Sequence, residues 1–367
     1  MGILRLILAL SVVAAHFGGI FGMKFVGGQM AVQAFYIISG FYMSYILNQK
    51  YIGAKSSYKL FIGNRFLRLY PVYWTVLLFT VFFCIYVNYK TSGNSFPVFG
   101  NYQKVEANLF SFIFLALSNI FIFGQDMVMF LGINSASGQL FFTDNFTNTS
   151  PQLFTFLFVP QAWTLELEML FYLIAPFILR RKPPVIFIII ICSIAIRIWS
   201  FNYFNTINDP WTYRFFPFEI AFFLSGYICY RLFLKIRQYS CKPKIAWYFL
   251  FGMLLFTILF YHLPSVGLKF LPFSLKELFY FLGIIITIPI LFHHLKNRTW
   301  DNRLGELSYP VYISHMFVGM VCSFQAEKFF KQSWVIALCT IILPFLLNKF
   351  ISQPIEKIRQ ARLASKV

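Results

Sequence analysis

Apolar residues along this chain arrive in long blocks. Eleven runs fall at roughly 3–22, 29–48, 69–89, 107–124, 158–179, 184–200, 215–234, 245–262, 274–294, 306–324 and 333–350, with most of the charge in the short stretches between them. Each is close to the roughly 20 residues a helix needs to cross the hydrocarbon core of a bilayer. The runs are continuous, which excludes the short alternating strands of a membrane β-barrel. The pattern predicts an all-α fold, a polytopic bundle of transmembrane helices. The opening MGILRLILAL has no clear signal-peptide cleavage site and reads as a retained first helix.

The connectors decide how many runs cross. With the N-terminus in the cytoplasm, two crossings place Lys50, Lys55, Lys59, Arg65 and Arg68 inside. Working back from the C-terminus also puts basic segments inside: the tail with Lys349, Lys357, Arg359, Arg362 and Lys366, the connectors at 296–303 and 231–244, and Arg180-Arg181-Lys182. In that arrangement 22 of the 31 Lys and Arg lie inside, as the positive-inside rule asks. The two halves agree only if one run does not cross. Removing 107–124 returns Arg180–Lys182 to the inside and puts 125–152, which has no Lys or Arg, outside. The expectation is ten spanning helices plus 107–124 as a re-entrant or interfacial segment, tolerated where protein or water satisfies its backbone. Residues 1–357 then form one transmembrane domain, 358–367 a short basic cytoplasmic tail, and both termini are cytoplasmic in a multi-pass cell-membrane protein.

Composition agrees. Apolar residues make up 59% and charged residues 12%, against about half and a quarter in soluble domains. The net charge of +19 would suggest nucleic acid in a soluble protein. In a membrane protein it belongs to the cytoplasmic connectors, so no nucleic-acid partner is expected. The six cysteines form no C-x-x-C pair and five lie in apolar runs. They read as small core hydrophobes, and no metal is expected.

Ionisable residues inside the runs carry the chemistry. Arg5 and His16 bracket the first run, eleven residues apart. That spacing is about 20° beyond three helical turns, so both side chains share one face about 16 Å apart along the axis. They outline a polar track from the inner surface past mid-membrane. An arginine at a cytoplasmic mouth suits a phosphate-bearing cofactor. A histidine deeper in can serve as a general base. Gln33, Ser39 and Gly40 interrupt the second run, and RFLRLYPVYW sets Arg65 and Arg68 on one helical face before Pro71. WTLELEMLFY places Glu166 and Glu168 near the expected outer end of the fifth run, with Glu166 at a solvated rim. SYPVYISH adds Tyr309, Tyr312 and His315.

Together these segments resemble the acyltransferase-3 family of integral membrane O-acyltransferases. Arg-x10-His, AFYIISGF, RFLRLYPVYW, WTLELEMLFY, SYPVYISH and SQPIEK match its motifs in order from residue 3 to about 357. The resemblance implies ten helices and transfer of an acyl group, usually acetyl. The donor would be cytoplasmic acyl-CoA, and the acceptor a hydroxyl of an envelope glycan or lipid-linked glycan outside. It further implies that Arg5, Arg65 and Arg68 hold the donor and that His16 and Glu168 are catalytic. Trp163, Glu166 and His315 would line the acceptor side. Many members carry an acidic residue where Gln33 stands and a second one at Met169, so those positions depart from the pattern. A transporter of a charged or acylated molecule is the alternative, although no inverted repeat is visible.

Overall fold

The structure is a computed structural model that describes residues 1–53, 57–91, 97–239, 242–325 and 327–364. It is a helical bundle with one small two-stranded hairpin. The first three helices are α1 (Gly2–His16), α2 (Gly28–Gln49) and α3 (Tyr58–Lys90). The short helices α4 (Pro97–Gln103) and α5 (Leu109–Phe121) follow. The hairpin of β1 (Leu131–Ile133) and β2 (Leu140–Phe142) then leads through single 3-10 turns to α6 (Trp163–Ile178). Next come α7 (Pro183–Phe204), α8 (Phe216–Ile236), α9 (Pro243–Leu259), α10 (Leu275–Leu295), α11 (Thr299–Phe324) and α12 (Ser333–Leu347). A π-turn at Asn348–Ser352 joins α12 to the final helix α13 (Gln353–Ala364).

Among the described residues, eight helical segments have the length and hydropathy of a membrane span, and α1 and α5 are shorter apolar helices; α6 has 16 residues. Contacts between connectors establish the alternation. Arg180 Nη2 donates to the Tyr51 carbonyl at 2.6 Å, Gln49 Nε2 to the Tyr230 hydroxyl at 3.1 Å, and Trp247 stacks on Trp300 at 6.1 Å. Segments 49–53, 180–182, 230–239, 242–247 and 296–303 therefore share one end with the start of α1, called here the basic end. At the opposite end Trp211 Nε1 reaches the Asp144 carbonyl at 2.9 Å, and Phe21 stacks on Trp334 at 6.3 Å.

The segment at 107–124 contains the short helix α5. Helix α5 has 13 residues, about 20 Å, against a hydrocarbon core of about 30 Å. It enters from the opposite end, where Ser111 Oγ donates to the Gly138 carbonyl at 2.6 Å. Its C-terminal carbonyls stop partway along α3. There the Tyr70 hydroxyl donates to Phe121 O at 2.5 Å, Trp74 Nε1 to Ile120 O at 2.9 Å, and the Tyr73 hydroxyl to Asn119 O. A helix end inside a membrane needs such partners. Leu109, Phe110, Ile113, Leu117 and Ile120 remain exposed along α5.

Two boundaries differ from the sequence expectation. Helix α3 starts at Tyr58, not 69, because the Ser57 side chain caps it by accepting from Leu60 N. Arg65 and Arg68 are thus mid-helix residues. The division at 357/358 falls inside α13, whose Arg359 is buried against the bundle.

Glycine sets the tightest crossing. A Cβ on Gly40 would lie 1.7 Å from the Phe223 carbonyl oxygen, and one on Gly226 would lie 2.2 Å from Phe41 N. Only glycine lets α2 and α8 approach this closely. The contact fixes the rotation of α2, and with it the direction of Ser39.

Candidate functional site

Helix α1 is anchored at its start. Asp301, at the beginning of α11, accepts from Gly2 N at 2.8 Å and Ile3 N at 3.1 Å. It also pairs with the Met1 ammonium at 2.6 Å. The carboxylate satisfies amides that a helix N-terminus leaves open. With the axis fixed there, Arg5 faces a cavity of about 90 Å³ between α1, α2, α3, α6 and α11.

Ser39, Tyr42, Arg68, Glu168 and Tyr309 join Arg5 in the lining of this cavity. Glu168 accepts from Ser39 Oγ at 2.6 Å and from the Tyr172 hydroxyl. Two arginines and one carboxylate therefore share this cavity. The sequence reading set Glu168 near the outer end of its helix. It lies in the second turn of α6, which begins at Trp163 after the 3-10 turn Pro160–Ala162, and lines the cavity together with Arg5 and Arg68.

Toward the basic end this cavity adjoins two larger ones of about 320 and 540 Å³, both lined by Tyr42, Arg68, Asp301, Glu356 and Arg359. Arg65, Lys50 and Lys296 line the first of them. Both carboxylates have partners already: Asp301 is held by the start of α1, and Glu356 by Arg359 and Gln360. Among the described residues, the Nε atoms of Arg65 and Arg359 are buried without a partner. Arg359 and Lys296 were not singled out in the sequence. Their place depends on α13 folding back and on the α10–α11 connection, and the only local signal was their membership of basic connectors.

At the other end of the track, the His16 and His315 rings lie 5.1 Å apart. His16 is exposed and His315 fully buried. His315 Nδ1 lies 2.5 Å from the Tyr312 carbonyl. A carbonyl only accepts, so Nδ1 carries the proton and Nε2 keeps a lone pair. His16 does not line the cavity that Arg5 faces. Between them stands Tyr312, which accepts from Thr164 Oγ1 at 2.8 Å and donates to the Gln161 carbonyl at 3.0 Å.

Trp163 packs here against Arg214, whose guanidinium carbon is 4.1 Å from the ring centroid. Asp209 holds that guanidinium at 2.5 and 2.7 Å. Burial opposes the Arg214 charge, but Tyr213 and Asp209 outweigh it and raise the pKa above the usual arginine value. Sequence reasoning missed Arg214, which lies in an unremarkable connector.

Two predicted polar residues have other surroundings. Glu166 is 4% exposed and not at a solvated rim. Its oxygens accept from Gly124 N at 2.6 Å and Asp126 N at 2.7 Å, which ties the turn after α5 to α6. Burial raises the pKa of the neighbouring Asp126 carboxyl. Gln33 donates to Glu219 at 3.2 Å, and Glu219 pairs with Arg197 at 2.9 Å. That buried network joins α2, α7 and α8 away from the cavity.

Fold and site together define a polytopic membrane protein with an internal polar tract leading from a strongly basic chamber toward a histidine pair. A profile described as an acyltransferase domain matches residues 1–351, and the chain belongs to the acyltransferase-3 family. It is a membrane acyltransferase. An uncharacterized protein of Aquifex aeolicus (strain VF5) is 23% identical over 218 residues, covering 58% of this chain and 93% of that protein. No solved structure matches.

Proposed function

We propose that the protein moves an acyl group, acetyl, from cytoplasmic acyl-CoA to a hydroxyl of an envelope glycan or lipid-linked glycan on the outer face. The observation that carries this reading is the basic chamber, with its buried Arg65 and Arg359 nitrogens open to a ligand. Clustered cations with their carboxylates already engaged call for an anion, and guanidinium groups bind phosphate in a fork. The basic end is then cytoplasmic, as the distribution of Lys and Arg asks.

The donor's phosphates would rest among Arg65, Arg68, Arg359 and Lys296. Its thioester arm would pass Arg5 and enter the cavity beside Ser39 and Glu168. The acceptor would come from the opposite end to His16. His16 takes the hydroxyl proton, the acceptor oxygen bonds to the acyl carbon, the carbon–sulfur bond breaks, and CoA leaves as thiolate. Arg5 and Arg68 supply positive charge along the donor's path, and Glu168 fixes Ser39 and Tyr172 beside it. His315 packs against His16 and orients its ring.

The test uses protein reconstituted in vesicles with radiolabelled acetyl-CoA and envelope glycan. Label should enter an alkali-labile ester on glycan. Uptake of label into the vesicle without ester formation would instead establish transport and overturn the reading.

A further inference from the structure

The cavity that Arg5 faces has a mouth and a far end, and α2 orders them. Val32, Phe35, Ser39 and Tyr42 line it from one face of that helix, three or four residues apart. They cover about 15 Å along the axis. Tyr42 and Arg68 also border both basic chambers, so the mouth lies there. Ser39 and Glu168 come next. Beyond them the lining turns mainly apolar, with Val32, Phe35 and Leu165 beside Tyr312. The Tyr312 ring stands at this end: Phe35 meets it edge-on at 6.5 Å, and His315 packs against it at 5.9 Å.

The far wall is held in place. Tyr312 accepts from Thr164 Oγ1 at 2.8 Å and donates to the Gln161 carbonyl at 3.0 Å. Helix α2 has no room to back away, because Gly40, five residues from Phe35, is already at backbone contact with α8. The space of about 90 Å³ is therefore a fixed volume. A cavity of about 150 Å³ takes a benzene ring, so one of this size takes about three or four heavy atoms. An acetyl group, two carbons and an oxygen, fits that count with the sulfur and the arm behind it at the mouth. Propionyl fills it, and butyryl exceeds it. Packed walls of this kind resist an added methylene.

We propose that this cavity is a short-acyl pocket and that Phe35, set against Tyr312 at its far end, limits the donor's acyl chain to two or three carbons. The inference rests on the acyl-transfer reading above and adds the residue that sets chain length. The placement suits the chemistry. An acyl group at Phe35 stops one tyrosine ring short of His315, whose ring lies 5.1 Å from that of His16. A longer chain in the same pocket would hold its reacting carbon back toward the mouth, farther from the histidine pair.

The experiment offers acetyl-, propionyl-, butyryl- and hexanoyl-CoA to the full-length protein in vesicles, with envelope glycan as acceptor, and reads the CoA thiol released. For the wild type, kcat/KM should fall about tenfold or more from acetyl to butyryl, and further to hexanoyl. Phe35→Ala should raise the hexanoyl-to-acetyl ratio of kcat/KM about tenfold or more. Phe35→Leu keeps an apolar side chain against Tyr312 and should raise the butyryl-to-acetyl ratio several-fold. Free CoA carries no acyl group, so its inhibition constant should be the same in both variants as in the wild type. A wild type that uses hexanoyl-CoA as well as acetyl-CoA would overturn the proposal. So would a Phe35→Leu protein with unaltered chain-length preference, or a change in inhibition by free CoA as large as the change in donor preference. If no donor is consumed with glycan present, the acyl-transfer reading fails and this inference fails with it.

Discussion

Glu166 and Glu168 are two residues apart and look interchangeable in sequence, yet they should fail in different ways when neutralised. Glu166 accepts two backbone amides, from Gly124 and Asp126, at 4% exposure. A glutamine retains one acceptor oxygen and turns an NH2 group toward the other amide. One buried N–H then loses its partner, which costs about 1–3 kcal/mol. The loss falls on the turn that ends α5 and should appear first as lower thermal stability. Glu168 accepts from Ser39 and Tyr172 and lines the cavity with Arg5 and Arg68. Each hydrogen bond to a charged group contributes about 1.5–3 kcal/mol, and the two arginines also lose their nearby counter-charge. Glu168→Gln should therefore lower acyl transfer by about 10- to 100-fold with a smaller change in melting temperature. The assay pairs initial transfer rates from acetyl-CoA with thermal unfolding of the same nanodisc samples. If Glu166→Gln melts like the wild type but loses as much activity as Glu168→Gln, the separation into an anchoring and a working carboxylate is wrong.

His16→Ala should accumulate normally and transfer no acetyl group, because its side chain is exposed and anchors nothing; wild-type-like O-acetylation measured by NMR of envelope glycan would remove His16 from the reaction. Arg5→Lys should bind acetyl-CoA about tenfold more weakly, since lysine loses the planar fork, and Arg5→Ala more weakly still, as read by calorimetry on purified protein. Arg359→Gln should raise KM for acetyl-CoA and flatten its salt dependence without altering KM for the acceptor; an unchanged donor KM would detach α13 from the donor site. With native cysteines removed, a cysteine replacing exposed Ser137 should react with an impermeant maleimide on intact cells, and one replacing exposed Lys182 should not. The reverse pattern would invert the assigned membrane orientation.

Much of the fold was legible along the chain because membrane insertion is a local decision. Each run must satisfy its own backbone and bury about 20 apolar residues, so span positions could be read one at a time. The basic connectors then pointed to 107–124 as the run that differs from the others, and it holds only the 13-residue α5. Arg5 and His16 were legible as a pair for the same reason: both belong to one helix, and helical periodicity alone aligns them.

The sequence could not supply what depends on distant segments meeting. Whether Glu166 or Glu168 faces the cavity depends on the rotation of α6, which turns Glu168 to Ser39 and Glu166 to the amides of Gly124 and Asp126. Ser39 points at Glu168 because Gly40 and Gly226 let α2 and α8 close to backbone contact. Arg359 joins Arg65 only because α13 folds back across the basic end. Arg214 reaches Trp163 only because the α7–α8 connection lies over the start of α6. Hydropathy fixes how deep each helix sits, whereas rotation and neighbour choice are set by side-chain packing between helices far apart in sequence. Those are the terms that place the polar groups of this site.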